Sequence, residues 1–531
     1  MKPRVLITES IAPSGIETLE GGGLEVDVRT GLTPDELLEA IGGYDGLIIR
    51  SATKVTSEVI DAGARLKVVG RAGIGVDNVD VTAATRRGIV VVNTPQGNIV
   101  STAEHTVALM LALARQIPQA HAALTSGRWE KKRFAGVELS GKVVGIVGLG
   151  RVGTLVAQRC HSFGMRIIAR DPYLAPQRAQ RLGIDLVEMD ELLEQADVIS
   201  LHVVKTPETH HMIGERELAR CKDGVLIVNV SRGGVVDEDA LARAISSGKV
   251  GGAALDVFET EPLTDSPLFG LDRVVVTPHI AGQTAEAQDK AGTIAAEQVL
   301  LALRGEFVPN AVNLEAGGEL PELLRPFLRL ATRLGRLVAA LAGEGVGALE
   351  VAYHGPVASE DTRVLTLSAL RGFLQAGVHE PVTYVNAPMV ASDRGIDYTE
   401  TRSAASTDYT NLVRVTARRD GEPVVVGGTL VGRANEERVV EIDGRPLEIA
   451  LTRYMAFFRY DDRPGVVHRA SGPLADADIN IKNMVVAEPP SPGEPAVMAL
   501  AVDSPIPAEV LEAAMEAAGI RSGRFVVLEE G

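Results

Sequence analysis

The feature that most constrains the fold is a glycine-rich turn between a predicted strand and a predicted helix. Residues 143–147 are apolar, and Gly148, Gly150 and Gly153 follow at G-x-G-x-x-G spacing. The first glycine permits a tight turn, the second lets the backbone approach a pyrophosphate, and the third lets the helix pack on the strand. Amides at the helix N-terminus then face the phosphates. The stretch predicts a dinucleotide site, although glycine turns without a ligand share this spacing.

Length and charge exclude several classes of protein. A chain of 531 residues is too long for one hydrophobic core, so several domains are expected. Its net charge of −17 argues against a nucleic-acid partner, which normally requires a basic surface. Two cysteines are too few for a disulfide framework, the N-terminus resembles no signal peptide, and no apolar stretch is long enough to span a membrane. We therefore expect a cytoplasmic protein without membrane contacts.

The first 315 residues read as two parallel α/β units. Short apolar strands alternate with helical patterns up to residue 93, and a second series of six strands begins at 143. Residues 100–125 predict one long helix linking the two units, and a helix near 285–304 returns to the first. We therefore assign 1–97 and 285–315 to a substrate-binding domain and 98–284 to an inserted nucleotide domain. A cleft between two domains is a preferred ligand site.

The C-terminal part predicts two further domains, 316–452 and 453–531. The first mixes strands and helices without a catalytic signature or a basic cluster, and the second reads βαββαβ, a ferredoxin-like order. The predicted fold class is α/β: a Rossmann-type doubly wound nucleotide domain inserted into a flavodoxin-like substrate domain, then an α+β intervening domain and the ferredoxin-like domain.

Asp171 ends the second strand of the nucleotide unit, about twenty residues beyond the glycine turn. An acidic side chain there can accept a hydrogen bond from a ribose 2′-hydroxyl and would repel a 2′-phosphate, so NAD is favoured over NADP. Arg170 leaves the alternative open, since an arginine at this place can receive that phosphate. A solvated strand-end aspartate is the other interpretation.

Three polar residues follow later strands, where ligands bind in open α/β sheets: Arg232, Glu261 and His279. Hydride transfer involving a carbonyl needs a proton donor, and a histidine beside a carboxylate supplies one because the carboxylate favours the imidazolium. An arginine can hold a substrate carboxylate in a bidentate contact. Each residue alone is more often structural, but their combination downstream of a nucleotide motif predicts a dehydrogenase.

With these residues, the chain resembles the D-isomer-specific 2-hydroxyacid dehydrogenases over residues 4–313. The resemblance implies catalytic roles for Arg232, Glu261 and His279. It also implies that further residues line the dinucleotide site: Arg151, Val152, Val230, Asp256 and Gly282. No metal site is predicted.

Within this family, the motifs at 50–56, 69–80 and 93–98 resemble the branch that oxidises 3-phosphoglycerate in serine synthesis. Such a substrate carries about three negative charges, so Arg50 and Arg71 can receive its phosphate and carboxylate, with Ser51 and Asn98 beside them. The other interpretation of these arginines is a solubilising surface. A basic patch at 131–133 could attract substrate or be an exposed turn.

The last domain resembles an ACT domain through residues 460–467 and 479–481. The resemblance implies L-serine as effector, with Tyr460 and Asp462 at the turn before a helix and Asn480 bridging between subunits, and it implies a homotetramer. A purely structural dimerisation domain is the alternative. The segment from 319 to 452 resembles the intervening domain of the long form of this branch, whose ligand stays open.

Two other functions remain possible at this stage. A hydroxypyruvate or glyoxylate reductase would share the catalytic residues but would need no phosphate-binding arginines. An NAD-sensing transcriptional corepressor would share fold and catalytic residues, although the acidic composition and the long C-terminal region count against it.

Overall fold

The structure, a computed structural model, describes residues 2–314, 320–377, 382–405, 408–419, 423–489, 491 and 494–528. The predicted boundary between 315 and 316 lies outside these residues. The first elements in chain order are β1 (Arg4–Ile7), α1 (Pro13–Gly21), β2 (Glu25–Val28), α2 (Pro34–Ile41), β3 (Gly46–Ile49), α3 (Ser57–Ala62), β4 (Val68–Arg71), α4 (Val81–Arg86) and β5 (Val90–Val92). The strands form a parallel sheet of order β2-β1-β3-β4-β5. This is the flavodoxin-like order, as predicted, and it places a switch point between β1 and β3.

The next elements build the second sheet and then leave it. They are α5 (Ile99–Arg115), α6 (Ile117–Thr125), β6 (Val143–Val147), α7 (Arg151–Ser162), β7 (Arg166–Arg170), α8 (Pro176–Arg181), β8 (Asp185–Leu186), α9 (Met189–Gln195), β9 (Val198–Leu201), α10 (Glu215–Arg220), β10 (Val225–Asn229), α11 (Glu238–Ser246), β11 (Val250–Leu255), β12 (Val274–Val276) and α12 (Ala285–Leu303). The order β12-β11-β10-β9-β6-β7-β8 is the doubly wound Rossmann order. Its central strands β6, β9, β10 and β11 are largely buried apolar runs, as expected for a parallel sheet covered on both faces, whereas the edge strand β8 is short and partly exposed.

Helix α12 carries the chain back to the first sheet. Gly70 in β4 lies so close to this helix that an added Cβ would be 2.7 Å from Cγ2 of Val299. At the contact with α1, a Cβ on Gly15 would lie 2.8 Å from the carbonyl oxygen of Gly292. Glycine therefore permits both close approaches. Because α12 packs on the first sheet after the second sheet is complete, the second sheet is an insertion within the first unit.

The prediction of one continuous helix over 100–125 was wrong. The structure has two helices, α5 and α6, separated at Gln116, whose φ is +51°. Pro118 is the second residue of α6; it has no N–H to donate, and in a continuous helix its ring would clash with the carbonyl of the residue four positions earlier. The side chain of Gln116 donates from Nε2 to the carbonyl oxygen of Ala135 at 3.0 Å, which stabilises the break.

The third part of the chain forms a six-stranded mixed sheet of order β14-β13-β15-β16-β17-β18 with helices packed on it. Its elements are α13 (Arg325–Ala342), β13 (Val346–His354), a 3₁₀ helix (Pro356–Ser359), α14 (Arg363–Gln375), α15 (Ala387–Asp393), β14 (Asp397–Ser403), β15 (Leu412–Arg419), β16 (Val424–Val431), β17 (Glu436–Ile442) and β18 (Arg445–Ala450). Helices α13 and α14 cross closely, because a Cβ on Gly335 would lie 2.0 Å from the carbonyl oxygen of Ala369.

Folding gathers basic side chains that are dispersed in the sequence of this third part. A cavity of about 600 Å³ lies beside α13, between this domain and the segment that follows α12. Its lining includes five arginines: Arg325, Arg329, Arg333, Arg336 and Arg371. Arg325, Arg329, Arg333 and Arg336 recur at helical spacing, which places them on one face of α13, a signal that sequence reasoning missed. Arg371 on α14 joins them only through the packing of the two helices.

The last part is a four-stranded antiparallel sheet of order β20-β21-β19-β22 with two helices. Its elements are β19 (Tyr454–Tyr460), α16 (Val466–Asp476), β20 (Ile481–Ala487), β21 (Ala496–Val502), α17 (Ala508–Ala518) and β22 (Ser522–Val527). The predicted ferredoxin-like βαββαβ order is confirmed. Across the described part of the chain, every helix is too short or too polar to cross a membrane.

Candidate active site

The glycine turn has the geometry that the motif predicts. Gly148 adopts a φ of +93°, and a Cβ there would lie 2.6 Å from the carbonyl oxygen of His202 at the end of β9. A Cβ on Gly153 would lie 2.1 Å from the carbonyl oxygen of Gly148, so helix and turn touch. Around Gly150, in contrast, no atom of the described residues lies within 4 Å of the Cβ position, apart from its chain neighbours and the adjoining helix backbone. The turn is therefore packed on the inside and open at the glycine that should face a pyrophosphate.

Asp171 lies directly beside this turn. Its Oδ2 accepts a hydrogen bond from the amide of Leu149 at 2.8 Å, and its Oδ1 accepts one from the amide of Tyr173 at 2.9 Å. The carboxylate thus also shapes the glycine turn, a role that the sequence did not indicate. Arg170 points its Nε to Glu188 Oε2 at 3.4 Å. Its charge is therefore partly neutralised, which favours NAD over a cofactor with a 2′-phosphate.

The other predicted dinucleotide-site residues lie at ends of elements around the same turn. Arg151 and Val152 begin α7, Val230 follows β10 and is buried, and Gly282 lines the cleft. A Cβ on Gly282 would lie 2.6 Å from Nδ2 of Asn98, so the segment after His279 approaches the substrate side closely.

Asp256 is fully buried, and its carboxylate holds the segment that carries His279. It accepts hydrogen bonds from Thr277 Oγ1 at 2.6 Å and from the amides of Ile280 and Ala281 at 2.9 Å. Nε2 of His105 on α5 lies 3.3 Å from Oδ1. Burial alone would raise the pKa of Asp256, but these hydrogen bonds outweigh it and lower the pKa. The structure thus gives Asp256 a positioning role, and His105 is a partner that sequence reasoning missed.

His279 and Glu261 form a direct pair. Nδ1 of His279 lies 2.7 Å from Oε2 of Glu261, and Oε1 of Glu261 accepts a hydrogen bond from the amide of Phe258 at 2.9 Å. His279 has a φ of +54°, and its amide donates to the carbonyl oxygen of Asp256 at 2.8 Å. Burial raises the pKa of Glu261, but its bonds to His279 and Phe258 lower it more. The carboxylate therefore stays ionised beside the imidazole and fixes the proton of that ring on Nδ1, leaving Nε2 for proton exchange with a ligand.

Arg232 approaches the same cleft from the end of β10. Its Nη1 donates to the carbonyl oxygen of Ser231 at 2.7 Å, and its Nε lies 3.5 Å from Oδ2 of Asp77 in the first unit. The following residue, Gly233, packs so tightly that a Cβ would lie 1.7 Å from the carbonyl oxygen of Phe258. The backbones of the loops that carry Arg232 and Glu261 are thus in direct contact.

A cleft of about 710 Å³ between the two units is lined by all four predicted substrate residues and by two of the three predicted catalytic residues, but not by Arg232. Those that line it are Arg50, Ser51, Arg71, Asn98, Glu261 and His279. Burial, together with the positive charges of Arg232 and Arg50, lowers the pKa of Arg71 to about 10, so it remains charged at neutral pH. Arg50 and Arg71 therefore form a cationic end of the cleft, and the charge of Arg232, outside the cleft lining, acts on Arg71 from nearby. Among the described residues, the buried Oδ1 of Asn98 has no hydrogen-bond partner. This arrangement suits a small, multiply charged anion.

Glu9 and Asn78 hold the loop that carries Arg50, and sequence reasoning missed both. Oε1 of Glu9 accepts hydrogen bonds from the amides of Arg50 at 2.8 Å and Thr53 at 2.9 Å, and Oε2 accepts one from Ala52 at 3.1 Å. Asn78 donates to the carbonyl oxygens of Arg50 and Thr53. The sequence did contain a sign of this role. Glu9 closely follows β1, and the residues after parallel strands are the ones that line ligand sites in open α/β sheets.

The basic patch at 131–133 is partly paired with acidic residues. Arg133 donates to Glu130 at 3.1 Å and to Asp272 at 3.0 Å, while the two lysines are exposed. This pairing favours the interpretation of an exposed turn.

In the last domain, a smaller cavity of about 400 Å³ lies at the start of α16. Tyr460 and Asp462 line it, together with Gly465, which has a φ of +87°. The described residues that line this cavity do not include Asn480, whose side chain is exposed and whose amide donates to Oδ1 of Asp503 at 3.0 Å. A role for Asn480 between subunits therefore stays a prediction.

Comparisons with known proteins agree with this architecture. Three family descriptions match: "D-isomer specific 2-hydroxyacid dehydrogenase, NAD binding domain" over residues 107–281, "D-3-phosphoglycerate dehydrogenase intervening domain" over 323–443, and "ACT domain" over 454–519. The chain is 47% identical over 509 residues to D-3-phosphoglycerate dehydrogenase of Mycobacterium tuberculosis (strain ATCC 25618 / H37Rv), covering 96% of each chain. It is 42% identical over 528 residues to the protein of that name from Archaeoglobus fulgidus, covering 99% of this chain and 100% of the relative.

Solved structures resemble the first two units. The TT0316 protein from Thermus thermophilus is 38% identical with a TM-score of 0.55, covering 58% of this chain and 99% of its own. D-lactate dehydrogenase from Aquifex aeolicus, complexed with NAD and lactic acid, is 30% identical with a TM-score of 0.51, covering 57% of this chain and 96% of its own.

Proposed function

Since the chain belongs to the D-3-phosphoglycerate dehydrogenase family, in its long form with an intervening domain and an ACT domain, we propose that it oxidises 3-phospho-D-glycerate to 3-phosphohydroxypyruvate. The reaction uses NAD and is the first step of L-serine biosynthesis. The observation that carries this proposal is the His279–Glu261 pair in the same cleft as Arg50 and Arg71.

The residues around the glycine turn fit NAD. The open position at Gly150 leaves room for a pyrophosphate beside the first amides of α7, and the carboxylate of Asp171 lies where an adenosine ribose would be held. When bound, NAD supplies the acceptor for the hydride that leaves C2 of the substrate.

The proton is handled by His279. With Nδ1 bonded to Glu261, Nε2 of the neutral ring accepts the proton of the C2 hydroxyl, and the imidazolium that results is stabilised by the adjacent carboxylate. The C2–oxygen bond becomes a carbonyl as the hydride departs, so electrons and protons balance. In the reverse reaction His279 returns the same proton to the carbonyl oxygen.

The cations of the cleft orient the substrate. Arg232 binds the carboxylate and the C2 oxygen, while Arg50 and Arg71 bind the phosphate, and Ser51 and Asn98 add neutral hydrogen bonds. The Glu9 carboxylate keeps the loop of Arg50 in place.

The decisive assay measures NADH oxidation with 3-phosphohydroxypyruvate and with hydroxypyruvate. We expect kcat/KM to be at least about 10²-fold higher for the phosphorylated substrate, because two arginines would lose their partner without the phosphate. Equal efficiency would instead indicate a hydroxypyruvate or glyoxylate reductase. Absence of turnover with any 2-oxo acid would favour an NAD-sensing corepressor.

We also propose that L-serine is the effector of the ACT domain and that the protein is a homotetramer. The cavity beside α16 supports the effector, because a helix N-terminus suits the serine carboxylate and Asp462 suits its ammonium group. Isothermal titration with L-serine and sedimentation of the purified protein test these two points. Absence of serine binding, or a sedimenting species smaller than a tetramer, would contradict them.

A cytoplasmic location is proposed as well, supported by the two cysteines, Cys160 and Cys221, which are buried as free thiols. Cell fractionation checks it, and recovery in a secreted fraction would contradict it.

A further inference from the structure

Two histidines and a glutamate converge beside the catalytic loops without a part in the mechanism above. His210 and His211 lie between β9 and α10, and Glu259 lies between β11 and β12. Nε2 of His210 is 3.4 Å and Nε2 of His211 is 3.2 Å from the same oxygen, Oε1 of Glu259. The two rings are stacked, with centroids 4.0 Å apart.

The spacing of these atoms is compatible with a shared metal ion as well as with the hydrogen bonds between His211 and Glu259. One donor atom from each of the three side chains lies within 4.8 Å of the others. Zinc bonds of about 2.05 Å at tetrahedral angles place neighbouring donor atoms about 3.3 Å apart, which is close to both observed nitrogen–oxygen distances. Two imidazoles and one carboxylate, with a fourth position for water, are a common zinc ligand set.

The charges around the cluster also favour a cation. Oε1 of Glu238 accepts a hydrogen bond from the amide of Glu259 at 2.6 Å, so a second carboxylate lies close by. The ammonium group of Lys205 lies near Gly234 and adds a positive charge close to the cluster, which disfavours binding of a cation.

The cluster joins two loops that carry catalytic residues. The amide of His211 donates to the carbonyl oxygen of Gly234 at 2.7 Å, two residues after Arg232. Glu259 lies two residues before Glu261, the partner of His279. An ion held by both loops would therefore tie the two catalytic segments together.

We propose that His210, His211 and Glu259 bind one Zn²⁺ per chain, with water at the fourth position, and that the ion fastens the loops of Arg232 and Glu261 to each other. The ligands are neutral imidazole Nε2 atoms and one carboxylate oxygen. The role is structural, because the cluster lies outside the residues that line the substrate cleft.

The test is calorimetric titration of untagged, chelator-treated full-length protein with ZnCl₂. We expect one site per chain with a micromolar dissociation constant, abolished in a His210→Ala/His211→Ala double variant and at least about tenfold weaker in Glu259→Gln. Matched controls are His161→Ala and His468→Ala, two exposed histidines outside the cluster, which should leave binding unchanged.

Two further measurements keep the test independent of folding. Thermal unfolding without zinc should be the same in wild type and variants, since the three side chains are about 36–43% exposed; zinc should raise Tm only where the cluster is intact. Added Co²⁺ should give the strong visible absorption of a tetrahedral site in the wild type. Absence of a saturable site, binding that survives the double variant, or octahedral Co²⁺ absorption would each overturn the proposal.

Discussion

Nδ1 of His279 and Oε2 of Glu261 lie 2.7 Å apart, although the residues come from two different loops and the histidine backbone is left-handed. The amide of Phe258 holds the other carboxylate oxygen, so the glutamate cannot turn away from the ring. This relationship defines which nitrogen of His279 is free to exchange a proton. The contribution of Glu261 to proton transfer can therefore be measured by replacing it while His279 is kept.

Replacing Glu261 with Gln should lower kcat by about 10²–10³-fold with little change in the dissociation constant of NAD, because the imidazolium loses its stabilising charge. The pH–rate profile should also change, since the carboxylate that holds Nδ1 of His279 has been removed. Steady-state kinetics from pH 6 to 10 check this. Glu215→Gln, on the exposed side of α10, is the control and should behave as wild type. If kcat and the pH–rate profile of the variant match those of wild type, Glu261 takes no part in the proton transfer by His279.

Replacing Arg50 and Arg71 with Met should alter substrate preference rather than the chemistry. We expect kcat/KM for 3-phosphohydroxypyruvate to fall by about 10²–10³-fold in the double variant, while that for hydroxypyruvate falls far less, because only the former has a phosphate to lose. Parallel NADH assays measure both values. Equal losses for both substrates would mean that these arginines do not bind the phosphate.

The glycines of the turn should respond differently to alanine. In Gly153→Ala the new Cβ would lie 2.1 Å from a carbonyl oxygen, so Tm should fall and NAD binding should weaken together. In Gly150→Ala the Cβ meets no protein atom, so Tm should be retained while NAD binds at least about tenfold more weakly. Calorimetric unfolding and fluorescence titration with NADH separate the two effects. Unaltered NADH binding by Gly150→Ala would place the pyrophosphate elsewhere.

Asp256 should make stability depend on acid pH. Because its pKa is lower in the folded protein than in the unfolded chain, the unfolded chain takes up its proton first as pH falls. Its contribution is therefore complete above about pH 4 and is lost as pH falls through the folded-state pKa. Asp256→Asn should lose about 1–3 kcal/mol at pH 7 and show a shallower decline of stability below pH 4. Denaturant titrations at several pH values check this; parallel curves for the two proteins would contradict it.

Serine inhibition should depend on Asn480. If this exposed side chain completes the effector site across a subunit interface, Asn480→Ala should relieve inhibition by L-serine without altering the uninhibited rate. Rates at increasing serine concentration, for the variant and for wild type, measure it. Asp503→Ala serves as comparison, because it removes the carboxylate that accepts from the Asn480 amide and from Ser504 but keeps the Asn480 side chain. Inhibition of equal strength in Asn480→Ala and wild type would exclude this role.

Much of the fold follows from local patterns that the sequence displays directly. Apolar runs bounded by turn residues predicted both parallel sheets, and βαββαβ order predicted the last domain, because strand and helix periodicities arise from neighbouring residues. The break at Gln116 was missed, although Pro118 offered the signal, because the apolar pattern continues across it. The helical spacing of the arginines along α13 indicates a shared face that sequence reasoning missed, whereas the cavity that they share with Arg371 forms only when α13 and α14 pack together.

The sequence by itself determined the glycine turn, the strand-end positions of Arg232, Glu261 and His279, and the charge type of the substrate. These depend on backbone conformation and on the rule that carboxyl ends of parallel strands meet at one edge. Only the tertiary structure decided that Glu9 holds the loop of Arg50, that Asp256 is buried beneath the histidine turn, and that two histidines meet Glu259. Such contacts join residues tens of positions apart, and their distances depend on how the sheets, helices and loops pack together.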